Sequence, residues 1–451
     1  MRRNIGQMFW VLAVIFMAMG AYFVWTAAVD GRNFAAHPFN GRVNIEGRGL
    51  RGTIYDARGR VLAYDSEFGR NYPFGAVFAH VVGYSGMSRA GLELSQNFTL
   101  TRLSRELIQM TAAVIFNDEV AGNSIETTLD ADIQSIIHNG LDGARGAAVV
   151  LNAQTGAIVA MASAPGFEPE LVEQDWGRLL GDGASPLLNR ATQGLYPPGS
   201  TFKLITALAA LEYDMELLDF VFDCTGQISF EGQTLQCFGG TAHGEVDFNR
   251  AMALSCNGYF AVLAQKIDAG HIIAAAERAA LFNREIPFEL AASMPLFSMP
   301  NEPELSELVE TAIGQGRTLA TPLNMALLAA AIANDGIMPE PFMVERVVGA
   351  FDNTVGRHSP RRIGRVMPAE IAEILADSMV DAVNFGTAAP ATLNHVQVAG
   401  KTGTAQNETG IDHSWFIGFA GDYALAIIIE NTGGGTRATR LAGEILLRLT
   451  E

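Results

Sequence analysis

The chain opens on an apolar block and then breaks into short mixed segments. Residues 8–29 are almost wholly apolar, with Trp10, Tyr22 and Trp25 toward the ends. A run of about 22 residues is the length that spans a bilayer as a helix, and aromatic side chains favour the two interfaces. Arg2 and Arg3 precede the run, which places residues 1–7 in the cytoplasm and everything after Asp30 outside it. The competing reading is a cleaved leader with Thr26-Ala27-Ala28 as its small-residue site. The run is long for the apolar core of a leader, so an uncleaved anchor is the better reading.

Residues 30–122 carry an irregular, strand-like pattern rich in glycine and arginine. Ile54-Tyr55 and Val61-Leu62-Ala63 flank the turn Asp56-Ala57-Arg58-Gly59, a spacing that predicts a β-hairpin. Residues 103–116 are amphipathic with helical period. Gly122-Asn123 is a turn signal and the expected boundary with a second domain, 123–451.

In that second part, residues 130–141 predict a helix with Asp130 as its N-cap. Residues 147–152 and 157–162 are short apolar runs joined by Ala153-Gln154-Thr155-Gly156, which predicts a hairpin. Residues 414–420 and 423–430 form another expected pair across Gly421-Asp422. Four long apolar stretches between them, 201–212, 251–267, 323–334 and 370–383, have helical character. Strands at both ends with helices between predict an α/β (α+β) domain, one sheet assembled from distant segments and covered by helices.

Composition adds exclusions. With 451 residues and 49% hydrophobic content, the chain is globular and large enough for two or three domains. A net charge of −18 argues against a nucleic-acid partner. Three cysteines are too few for a disulfide framework. Cys224 and Cys237 could bridge in an oxidising compartment, leaving Cys256 over. No cysteine pair stands at metal-ligand spacing with histidine, so no metal site is expected. Basic charge is almost all arginine: the three lysines are Lys203, Lys266 and Lys401. Arginine keeps its proton near neutral pH, whereas a desolvated lysine can lose it. Lysine kept at 203 and 401 therefore points to a titratable amine.

Those two lysines sit in distinctive surroundings. In Tyr196-Pro197-Pro198-Gly199-Ser200-Thr201-Phe202-Lys203 the Pro-Pro-Gly sequence starts a helix, and Ser200 and Lys203 share one face of it. A buried lysine beside a second cation is pushed toward its neutral form and can take the serine proton. The bland alternative is an N-capping serine with a solvated lysine; the apolar helix around Lys203 weighs against it. Ser255-Cys256-Asn257 offers a hydroxyl and an amide two residues apart, one to relay a proton and one to hold a substrate amide; alone it reads better as a capping pair. Residues 398–405 combine strand character with glycines. There Lys401 supplies charge, and Thr402, Gly403 and Thr404 offer hydroxyls, close backbone approach and an N–H for an oxyanion. Alone, this is an edge strand with a surface lysine.

Taken together, S-x-x-K, then S-x-N, then K-T-G, in that order, resemble the signature of the serine penicillin-recognising enzymes. The resemblance extends over about residues 124–449. It includes Asn189-Arg190-Ala191, His243-Gly244, Ile313-Gly314-Gln315-Gly316 with Thr321-Pro322, and Ser414-Trp415-Phe416-Ile417-Gly418-Phe419. Arg51-Gly52-Thr53-Ile54-Tyr55-Asp56, His80-Val81-Val82-Gly83-Tyr84 and Gly91-Leu92-Glu93 look like the pedestal of class B, monofunctional penicillin-binding proteins of the compact Gram-positive type. The stretch after Glu93 departs from the usual longer segment.

The resemblance implies a transpeptidase domain with an antiparallel sheet covered by helices, on a β-rich pedestal behind one transmembrane helix. It implies Ser200, Lys203, Ser255 and Asn257 as catalytic and Lys401, Thr402, Gly403 and Thr404 as substrate-binding. It further implies acyl transfer on peptidoglycan stem peptides, acylation by β-lactams, and no cofactor. A lipid II-polymerising glycosyltransferase and divisome or elongasome proteins are the implied partners. A D,D-carboxypeptidase or β-lactamase is the main rival, although the acidic cluster Asn301-Glu302-Pro303-Glu304 lacks the form of the deacylating glutamate segment of class A β-lactamases. A β-lactam sensor would need cytoplasmic machinery that seven residues do not supply. A catalytically idle scaffold fits poorly with an intact motif triplet.

Overall fold

The two ends of the second domain meet in one five-stranded antiparallel sheet. Its order is Val398–Ala405, His413–Ala420, Tyr423–Ile429, Gly146–Asn152 and Ile158–Ala164. The chain is described here by a computed structural model, which covers residues 2–29, 50–86, 88–101, 121–349 and 352–451. The helix expected over 103–116 lies outside these residues.

The central strands read as continuous apolar runs because both faces of the sheet are covered. Successive side chains of a strand point to opposite faces, and the two cores follow that alternation. Ala147, Val149 and Leu151 enter one apolar cluster with the helix Pro322–Ala333, which is buried at nearly every position. Ala148 and Val150 enter the other, with Ile133, Ile137, Leu441 and Ile445 from the helices Ala131–Gly140 and Thr436–Thr450. A helix that is apolar all round belongs in such an interior. Its start is fixed by a capping box between Thr321 and Asn324. Asp130 caps its helix as expected, accepting from the Asp132 N–H at 2.8 Å.

Two expected helices have different boundaries. Residues 251–267 do not form one helix but two, Phe248–Ala253 and Asn257–Ala264. The break falls at Ser255, whose φ of +56° is left-handed. The helix expected from 201 starts at Lys203, as Lys203–Tyr213, after a tight 3-10 turn over Gly199–Phe202.

A second sheet has six strands, in the order Thr354–Arg357, Val344–Val348, Ser124–Thr127, Ile54–Tyr55, Val61–Ser66 and Gly69–Asn71. The expected hairpin is there, with Ile54 opposite Ala63 and Tyr55 opposite Val61. Ile54–Tyr55 also runs parallel to Ser124–Thr127, so this sheet joins strands from both sides of residue 122. Gly52 lies so close to the Asn123 carbonyl that a Cβ there would meet its oxygen at 1.9 Å.

Arg51 and Glu93, from two separate pedestal-like stretches, pair at 2.7 Å; Arg70 joins them at 2.6 Å. Glu93 is fully buried.

The leading residues form a 28-residue helix, Arg2–Val29. Its continuous described side chains, residues 12–22, are exposed except for a half-buried Ala13. Among the described residues, no helix is long and apolar enough to cross a membrane.

Candidate active site

The site is assembled by close backbone contact before any side chain is considered. Gly199 has φ +53° and lies between two other motifs. Its N–H donates to the Gly314 carbonyl at 2.9 Å, and a Cβ on it would meet the Thr404 carbonyl oxygen at 2.5 Å. A Cβ on Gly314, itself at φ +78°, would lie 2.0 Å from the Gly199 oxygen. Only glycine tolerates both the left-handed backbone and the missing space. Trp415 Nε1 donates to the Pro197 carbonyl at 2.9 Å, pinning the Pro-Pro-Gly turn to the sheet. Ser200, next in line, is thereby fixed beside the strand that carries Lys401, Thr402, Gly403 and Thr404.

Lys203 and Lys401 are both fully buried, whereas Ser200, Ser255, Asn257 and Thr404 are half-buried. Lys203 Nζ donates to Asn257 Oδ1 at 2.6 Å, to the Ser255 carbonyl at 2.7 Å and to Ser255 Oγ at 3.2 Å. Lys401 Nζ donates to Ser255 Oγ at 2.9 Å and to the Thr402 carbonyl at 3.1 Å. Thr402 Oγ1 is hydrogen-bonded to Thr387 Oγ1 at 2.6 Å. Burial pushes Lys203 down to about 7. Burial, and next the Lys203 charge, push Lys401 well below its usual range as well.

Of the eight residues singled out in the sequence, Lys203, Ser255, Asn257, Lys401 and Thr402 are joined in one hydrogen-bonded set, and Ser200, Gly403 and Thr404 lie on the adjoining turn and strand. The left-handed Ser255 explains how: its turn points both the Ser255 hydroxyl and the Asn257 amide at Lys203. Ser200 lies at a turn with a buried amine one helical turn away, whose pKa burial lowers to about 7. Such an arrangement can activate a hydroxyl as a nucleophile.

The Penicillin binding protein transpeptidase domain family matches residues 146–448. The chain belongs to the penicillin-binding transpeptidases. It is 32% identical to the peptidoglycan D,D-transpeptidase PbpA of Mycolicibacterium smegmatis, over 97% of this chain and 95% of that one. It is 28% identical to the peptidoglycan D,D-transpeptidase MrdA of Acinetobacter baumannii, over 84% of this chain and 65% of that one. Among solved structures, it resembles the D,D-transpeptidase domain from Eggerthella lenta with a TM-score of 0.78 and 32% identity, covering 90% of this chain and 99% of that one. It resembles the ceftriaxone acyl-enzyme complex of penicillin-binding protein A from M. tuberculosis with a TM-score of 0.83 and 28% identity, covering 89% and 98%.

Within this penicillin-binding transpeptidase, three features were not legible in the motifs. Thr387 reaches Thr402 from the end of the helix Ala369–Phe385, and nothing local marks it. Gln236 offers its carbonyl to Asn257 Nδ2 at 2.7 Å. The third concerns the cysteines, whose sequence spacing suggested a disulfide and no metal. Cys224 and Cys237 are free thiols with their sulfurs 3.6 Å apart. They share one cluster with Cys256 and His243.

Proposed function

We infer that the chain is a peptidoglycan D,D-transpeptidase working through an acyl-enzyme on Ser200. Ser200 Oγ attacks the carbonyl carbon of the D-Ala-D-Ala bond of a stem peptide, and the neutral Lys203 amine takes its proton. The Ser200 and Thr404 N–H groups hold the developing oxyanion. As the C–N bond breaks, Ser255 passes a proton to the leaving D-Ala amine. Asn257 holds Lys203 in place and offers its amide group to the stem peptide.

Lys401, Thr402 and Thr404 bind the terminal carboxylate, and Gly403 gives the substrate backbone room. An arriving carboxylate favours the charged form of Lys401, and that charge in turn disfavours a proton on Lys203. An amine from a neighbouring stem peptide then takes the acyl group, which restores Ser200 and cross-links the wall. β-Lactams acylate the same serine, a reading supported by the M. tuberculosis acyl-enzyme complexes with ceftriaxone and imipenem.

The observation that carries this reading is Ser255 Oγ, held by both buried lysines beside the Ser200 turn. Residues 30–122 serve as the pedestal and 123–451 as the transpeptidase domain. The segment around residues 8–29 anchors the chain with the catalytic part outside the cell, a role supported by its apolar sequence, by Arg2 and Arg3 before it, and by the exposed Trp10, Phe16, Tyr22 and Trp25. A lipid II-polymerising glycosyltransferase and proteins of the divisome or elongasome are the partners that fit such an enzyme.

Labelling with a fluorescent penicillin tests the assignment: wild type becomes covalently labelled and Ser200→Ala does not. Release of D-Ala should rise with an added amine acceptor. Rapid turnover of penicillin would instead mark a hydrolase.

A further inference from the structure

One acidic side chain near the cleft takes no part in the acyl-transfer steps. Glu430 follows the strand Tyr423–Ile429 and is half-buried. Its Oε1 accepts from Arg190 Nε at 2.7 Å and from the Tyr196 hydroxyl at 2.9 Å. Its Oε2 pairs with Arg145 Nε at 3.2 Å. Arg190 is itself buried, and its two remaining nitrogens donate to the carbonyls of Ser185 and Ala184 at 3.0 and 2.7 Å.

Tyr196 stands four residues before the nucleophile and is held from three directions. Its backbone exchanges hydrogen bonds with Ala320, its N–H donating at 2.9 Å and its carbonyl accepting at 2.7 Å. Its ring stands edge-on to His413 and to Trp415, with centroids 5.7 and 6.2 Å apart. Trp415 in turn donates to the Pro197 carbonyl. The space beside the ring is closed, since a Cβ on Gly194 would lie 2.5 Å from a ring carbon of Tyr196. The hydroxyl on Glu430 is the third hold.

We propose, resting on the transpeptidase reading of Ser200, that Glu430 is a positioning residue for acyl transfer: through the Tyr196 hydroxyl it fixes the tilt of the ring, hence the Pro197-Pro198-Gly199 turn and the Ser200 oxygen that follows.

Three features carry this. The first is the strength of the hold. A hydrogen bond to a carboxylate is shorter and stronger than one between neutral groups. Two guanidinium groups hold the carboxylate, so the acceptor is fixed before Tyr196 reaches it. Burial, and next the Glu430 charge, raise the Tyr196 hydroxyl far above its usual range, so it remains a donor. The second is the lack of slack between Tyr196 and Ser200. Both prolines have a fixed φ, and Gly199 is pressed between Gly314 and Thr404. A displaced ring therefore moves Ser200 rather than being absorbed in the loop. The third is separation from the proton chemistry. Among the described residues, the side-chain partners of Glu430 are Arg145, Arg190 and Tyr196, whereas Lys203 and Lys401 are held by Ser255, Asn257 and Thr402. Glu430 thus acts on the reaction through geometry.

The test uses the full-length chain and penicillin acylation followed by stopped flow, which separates the maximal rate constant from the half-saturating concentration. Tyr196→Phe removes only the hydroxyl and leaves the pairs of Glu430 with the two arginines. A misplacement of about 1 Å at a reacting group can cost about 10²-fold in rate. Loss of one hold of three should lower the rate constant by about tenfold and leave half-saturation within about twofold. Glu430→Gln keeps an acceptor for the hydroxyl and should retain part of the rate that Glu430→Ala loses. If Glu430→Ala folds poorly because Arg190 is left uncompensated, Tyr196→Phe decides alone. A wild-type rate constant in Tyr196→Phe, or an effect confined to half-saturation or to Tm, would overturn the proposal. Hydrogen exchange of the Gly199 to Lys203 amides gives a readout without any β-lactam. It should speed up in Tyr196→Phe, and unchanged exchange would count against the hold on the turn. Wild type that is never acylated would sink the transpeptidase reading, while faster exchange in the variant would leave the Tyr196–Glu430 hold standing.

Discussion

Lys203 and Lys401 donate to the same oxygen, Ser255 Oγ, from opposite sides. Like charges that close and that buried oppose each other, so the cleft favours at least one neutral amine. Lys203 must be neutral to accept the Ser200 proton, and burial lowers it to about 7. A base with a lowered value is active above it and idle below it. Acylation by a β-lactam is therefore expected to fall about tenfold per pH unit on the acid side of about 7; stopped-flow rates across that range check this, and a flat profile would remove Lys203 as the base. Lys203→Arg should lower acylation by about 10²-fold to 10⁴-fold, since guanidinium stays charged. Lys401→Arg keeps the charge and should leave a measurable remnant. Lys266 is exposed over the Phe220 ring, 4.5 Å from its centroid. Arginine makes the same contact, so Lys266→Arg should leave acylation unchanged.

At the scale of elements, the site depends on where helices begin and end. The expected helix over 251–267 is broken by a left-handed Ser255, and that break is what turns the S-x-N residues into the cleft. Apolar periodicity continues across the break, so the sequence pattern did not reveal it. The Ser200 turn is set by Gly199 in the same way. Gly199→Ala would force a left-handed alanine against the Thr404 carbonyl, strain on the order of 1–3 kcal/mol. The expected outcome is a lowered Tm together with slowed acylation, because relief of the strain must move Ser200 or the strand carrying Thr404. Calorimetry and labelling on the same sample check both. An unchanged labelling rate would mean the Gly199–Thr404 contact does not position the nucleophile.

Across the whole molecule, the pedestal-like sheet and the penicillin-binding domain share strands, and a buried charge cluster lies beside them. Arg51, Arg70 and Glu93 have side chains at most 11% exposed. Removing one partner of such a set leaves a buried charge uncompensated, at a cost of about 3–5 kcal/mol. Glu93→Ala should therefore lower the Tm markedly, while acylation at low temperature persists, since none of the three touches the cleft. A Glu93→Ala protein with wild-type Tm would show that the cluster contributes little to holding this part of the chain.

The sequence by itself determined which residues face inward, most strands and helices, and the three motifs, because apolar period and turn chemistry are local properties. It placed Ser200, Lys203, Ser255, Asn257 and the 401–404 strand in one site through a resemblance rather than through distance. Only the tertiary structure decided how they meet: a shared Ser255 oxygen, two glycines with no room for a Cβ, and an extra hydroxyl from Thr387. It also decided the fate of the cysteines. Their spacing is 13 and 19 residues, with His243 between, and spacing alone cannot say that three short strands and a helix cap bring the three sulfurs and the His243 ring to within 4.8 Å of one another. Ligand geometry is a property of the folded backbone, and long-range contacts leave no periodic trace in the chain.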